Sequence, residues 1–149
     1  MSMSFADLDA WKKARELVNT IYRISRETVL AKDFGLCSQM QRAAVSVMSN
    51  VAEGFERLHA AEKLQAYNIA RASCGEVRSL LYVVEDNYPI HARTVGEARA
   101  LVVEVGRLTS GLISSTRKRI GVKIGTSAAL LSIAAVLFFQ LLKSLSENV

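Results

Sequence analysis

The sequence predicts an all-α protein: an up-down four-helix bundle followed by a C-terminal apolar helix of transmembrane length. Three observations predict it. A single proline, Pro89, interrupts 149 residues rich in Ala, Leu, Glu, Lys and Arg, a composition that favours long helices. Apolar residues recur at spacings of three and four along four successive segments, with no sustained strand alternation. Residues 124–142 contain no charged side chain.

The first helix is expected over residues 7–31, with Leu8, Trp11, Ala14 or Arg15, Val18, Ile21 and Ile24 recurring at helical spacing. Lys32, Asp33, Phe34 and Gly35 form a break, with Gly35 suited to a left-handed cap. The second helix, residues 36–57, aligns Met40, Ala43 or Ala44, Val47, Val51 and Phe55, and its small residues permit close packing. The third, residues 60–87, carries a heptad seam of Tyr67, Ala70, Cys74, Val77, Leu81, Val84 and Tyr88. Pro89 ends it, because proline donates no backbone hydrogen bond and pushes the preceding residue out of helical geometry. The fourth helix is expected to start at Thr94, with Glu97 completing a capping box, and to turn Ala98, Leu101, Val102, Val105, Leu108 and Leu112 inward. The bundle domain spans residues 5–118, and residues 119–149 form a basic linker and the apolar helix.

As a helix, residues 124–142 extend about 28 Å, against a hydrocarbon core of about 30 Å. Their Ile, Leu, Val and Phe contribute about −3 to −6 kcal/mol on an insertion scale, partly offset by the polar positions. Arg117, Lys118, Arg119 and Lys123 precede the run and only Lys143 follows it closely, so the bundle is expected on the cytoplasmic side of a bacterial inner membrane. A helix buried in an oligomer core, giving a cytoplasmic protein, is the alternative. Gly121, Gly125, Ala128, Ser132 and Ala135 form a small-residue seam suited to packing tails together. The two cysteines are far apart and form no CxxC pair, so a reducing compartment is expected.

No catalytic or metal-ligand motif occurs, and the two histidines, His59 and His91, have no ligand partner at useful spacing. Neither enzymatic activity nor a cofactor is expected, nor a small-molecule substrate. Ser46, Asn50 and Glu53 share one face of the second helix, and Ser73 and Glu76 form a polar patch on the third. These are read as interhelical polar contacts. The net charge of +5 and pI near 9.5 favour anionic partners. Arg71 and Arg78 stand two turns apart on one face, placed to touch phosphates of a nucleic acid.

The stretches LCSQMQRAAVSVMSNVAEGFER, FADLDAWKKARELVNTIY and AYNIARASCGEVRSLL resemble the ribosomal-RNA intervening-sequence protein family of small four-helix bundles, which includes the accessory variability determinant of diversity-generating retroelements. The resemblance covers about residues 5–115. It is most specific at Arg42, Ala43, Ala44, Ser46, Asn50, Ala52, Glu53 and Gly54, backed by Ser73 and Glu76. It implies a non-enzymatic bundle assembled as a ring-like homo-oligomer, a pentamer, which in the retroelement branch binds a reverse transcriptase and nucleic acid through basic surfaces. Two features depart from the family: Leu58, His59 and Ala60 stand where a serine or threonine cap is expected, and the apolar tail is added. The combined expectation is a membrane-held homo-oligomeric scaffold, in one form a pore-forming effector of antiviral defence. The alternative is a soluble accessory that binds nucleic acid or a reverse transcriptase.

Overall fold

The structure, a computed structural model, describes the backbone of residues 4–90 and 92–146 and the side-chain surroundings of residues 4–90 and 93–121. It contains four α-helices: α1 (Asp9–Ile24), α2 (Phe34–Glu56), α3 (Ala60–Asn87) and α4 (Ala92–Ser146). Single turns of 3-10 helix precede α1 at Phe5–Asp7 and α2 at Leu30–Lys32. Each helix packs on the next in chain order and α4 closes against α1, so the bundle is up-down.

The core is the set of residues that the apolar periodicity brings to one stripe of each helix. Leu17, Ile21 and Ile24 of α1, Met40, Val47 and Val51 of α2, Val77, Leu81 and Val84 of α3, and Val95, Val102 and Val105 of α4 are buried. Complete burial of such a side chain contributes about 1.5–3 kcal/mol, so these stripes dominate the stability of the bundle. Cys74 lies on the α3 stripe as a small core residue, and Cys37 is buried with its thiol directed at the Leu30 and Ser25 carbonyls.

The helix ends show where local chemistry overrides periodicity. α1 stops at Ile24 rather than running on to residue 31, because the chain turns at Ser25, whose hydroxyl donates to the Ile21 carbonyl at 2.8 Å. Leu30 then enters the core from the connecting segment instead of from the helix. Gly35 does not cap in a left-handed conformation; it lies within the first turn of α2, and no described residue has positive φ. The cap is Asp33, whose Oδ1 accepts from Leu36 N at 2.9 Å. Its Oδ2 accepts from the Tyr88 hydroxyl at 2.7 Å, tying the end of α3 to the start of α2. At the opposite end Lys63 Nζ donates to the Gly54 and Phe55 carbonyls at 3.2 and 2.6 Å, placing a cation on the negative end of α2.

α4 begins at Ala92, before Thr94, and Glu97 pairs with Arg93 rather than completing a capping box. The helical backbone then continues through residues 119–123 to Ser146 as one element of 55 residues. Among the described residues no helix is long and apolar enough to cross a membrane. The transmembrane expectation for residues 124–142, and the tail-packing positions Gly125, Ala128, Ser132 and Ala135, lie outside the residues whose side chains are described. Gly121, the first position of that seam, is exposed on α4.

Candidate anion-binding groove

α3 and α4 run antiparallel, so positions that step by three and four along one face of α3 meet the equivalent positions of α4 in reverse order. Along this face α3 contributes Asn68, Arg71, Gly75 and Arg78, and α4 contributes Arg117, Ser114, Ser110, Arg107 and Val103. The result is two adjoining clefts that share Arg71 and Ser110, of about 290 and 190 Å³. The larger is lined by Arg71, Arg78 and Arg107 beside Cys74, Gly75 and Gly106. The smaller holds Arg71 and Arg117 with Asn68, Ser110 and Ser114. The two glycines keep the floor low, because neither puts a side chain into the space between the helices.

All four arginines are exposed, and among the described residues none has a carboxylate within 4.0 Å. Three acidic residues of these helices are engaged away from the groove. Glu76 accepts from Gln39 on the α2 side at 3.3 Å, Glu104 faces Lys13 of α1 at 4.0 Å, and Glu97 pairs with Arg93. Charge is thus segregated, and the groove keeps positive potential along its length. Burial pushes the Cys74 thiol beneath it up to about 11, the nearby Arg78 pulling the other way. At neutral pH this thiol is therefore protonated.

One turn beyond Arg78 on α3 and one turn before Val103 on α4 stand Tyr82 and Arg99. The Arg99 guanidinium lies 4.4 Å from the Tyr82 ring centroid and pairs with Glu85, while Tyr82 remains half exposed. Tyr82 is not among the residues expected from the sequence to contact nucleic acid, which are Arg71 and Arg78 alone. The signal that would have found Tyr82 is its spacing of four from Arg78 and eleven from Arg71, which puts all three on one stripe.

The other polar positions singled out in the sequence lie on different faces. Ser46 and Ser73 meet across α2 and α3, Oγ to Oγ at 2.9 Å. Asn50 stays on its own helix, its Nδ2 donating to the Ser46 carbonyl at 2.8 Å and to Ser46 Oγ at 3.2 Å. Glu53 pairs with Arg57 one turn on, and Glu76 reaches α2 through Gln39. Glu53 and Glu76 therefore do not form a carboxylate pair with each other. Among the described residues no group of three His, Cys, Asp or Glu side chains is placed to hold a metal.

The fold and the groove define a small all-helical bundle with a polar seam on one side and a cationic cleft on another. The chain belongs to the 23S rRNA-intervening sequence protein family, whose model matches residues 6–111. That match takes in the bundle as far as the middle of α4 and ends before the apolar run. In three dimensions the chain is similar to the crystal structure of a protein of unknown function from the S23 ribosomal protein family of Bacteroides thetaiotaomicron VPI-5482. The TM-score is 0.65 at 19% identity, over 70% of this chain and 95% of that one. This likeness establishes the fold. None of the curated proteins matches the chain.

Proposed function

We propose that this chain is a non-enzymatic helical scaffold whose α3–α4 groove holds the phosphate backbone of a nucleic acid. One observation carries the reading: Arg71, Arg78, Arg107 and Arg117 line continuous clefts and none has a carboxylate within 4.0 Å among the described residues. Guanidinium groups left without carboxylate partners bind phosphates by fork-shaped hydrogen bonds and by releasing the polymer's counterions. The family's name points to a ribosomal-RNA setting and agrees in kind with this ligand class. A salt titration of RNA binding tests it. Four contacts give a slope of log K against log salt of about −3 for a single strand, and each arginine neutralised, Arg71→Gln or Arg78→Gln, reduces its magnitude by about 0.7. Absence of binding at low salt, with the helical signal intact, overturns the reading.

A second reading, compatible with the first, is a membrane tether. It is supported by the unbroken helical backbone that leads from the bundle to Ser146 through the uncharged run 124–142. In this reading the bundle lies on the cytoplasmic side and the scaffold is a homo-oligomer whose tails pack through Gly121, Gly125, Ala128, Ser132 and Ala135. A helix rises about 1.5 Å per residue, so the groove residues from Arg117 to Arg107 stand about 10 to 25 Å from the start of the apolar run. Most of the groove is then beyond the headgroup layer, which favours a polymer over a lipid as its occupant.

A further inference from the structure

We infer that the groove accepts a single strand rather than a duplex, with Tyr82 as the platform on which one base stacks; the inference rests on the phosphate-binding reading above. The cleft lies between two packed helices, whose axes are separated by about 8–10 Å. Its arginines look into that cleft from both walls. A duplex carries its phosphates on the outside of a rod broader than such a cleft and meets only the outer ends of these side chains. A single strand lies along the cleft, and Arg71 and Arg78, about 10 Å apart along the α3 axis, can each take a phosphate of the same strand, though not adjacent ones.

At the end of this track away from Arg117 the charge gives way to an aromatic side chain. Tyr82 is 49% exposed, and one face of its ring is covered by the Arg99 guanidinium, itself fixed by Glu85. The ring is thereby held from one side, while about half of the residue's surface stays exposed. A cationic track that ends on a supported aromatic ring is the combination by which single strands are held without sequence preference: phosphates on the cations, a base on the ring. Stacking needs the aromatic ring and not its hydroxyl, which gives Tyr82 a signature distinct from the arginines.

The test uses the full chain in detergent with a fluorescein-labelled oligouridylate of about twelve nucleotides, within the usual site size, and an RNA duplex of the same length. Binding is followed by fluorescence anisotropy across a salt series. The single strand is expected to bind more tightly than the duplex. Tyr82→Ala should weaken single-strand binding about five-fold or more with the salt slope unchanged, whereas Tyr82→Phe retains it. Should Tyr82→Ala lose helical signal, Tyr82→Leu, apolar but unable to stack, takes its place. Equal affinity for the duplex, or an unchanged affinity in the alanine variant, overturns the single-strand inference. If Arg71→Gln and Arg78→Gln still reduce binding in that case, the phosphate-binding reading survives alone. Absence of binding to either probe at low salt removes both.

Discussion

Gly54 sits on α2 where the ring of Tyr67 crosses from α3, and a Cβ at this position would lie 2.4 Å from Tyr67 Cε1. Tyr67 is itself buried, so the ring cannot move aside without opening the core. Gly54→Ala is expected to destabilise the bundle by about 1–3 kcal/mol, as overpacking does, read from the urea midpoint; an unchanged midpoint would show that the ring finds another position. Asp33 makes a different kind of residue-level prediction. The Leu36 amide and then the Tyr88 hydroxyl hydrogen-bond its carboxylate and hold its pKa below the usual carboxylate value. A group whose folded pKa is lowered contributes stability above its unfolded pKa and loses it as pH falls through the folded one. The urea midpoint of the wild type should therefore fall on acidification through the carboxylate range. Asp33→Asn should begin lower at neutral pH and show a shallower acid limb.

Between elements, Ser46 is a junction: its hydroxyl meets Ser73 of α3 and also receives Asn50 of α2. Ser46→Ala leaves both partners short of a hydrogen bond and should cost about 1 kcal/mol. Ser73→Ala added to it should cost less than the sum of the two single changes, and strict additivity in a double-mutant cycle would show the contact to be idle. The helix pair itself was readable from sequence, because the α3 seam repeats without a fault over about six turns and Pro89 marks its end. The early stop of α1 was not, since Val29 and Leu30 continue the apolar pattern while the backbone turns at Ser25. Half of the groove was readable too: Arg71 and Arg78 share a helix face by spacing alone. Their juxtaposition with Arg107 and Arg117 depends on how far α4 runs past α3 and in which direction it faces. No periodicity within a single helix carries that information.

For the molecule as a whole, the bundle and the apolar run make separable predictions. Full-length protein should partition with the membrane fraction, resist carbonate and require detergent, whereas a chain ending at Gly121 should remain in the supernatant with its thermal transition largely preserved. If both forms stay in the supernatant, the tether reading falls and the groove reading is untouched. The continuity of α4 from Ala92 to Ser146 adds a geometric consequence. An α-helix turns about 100° for each residue, so a single alanine inserted between Arg119 and Lys123 rotates everything beyond it by more than a quarter circle. Seven inserted residues bring the azimuth back to within about 20° while lengthening the rod by about 10 Å. A flexible leash would be indifferent to both changes. A shaft that fixes which side of the bundle faces its neighbours would fail with one added residue and recover with seven.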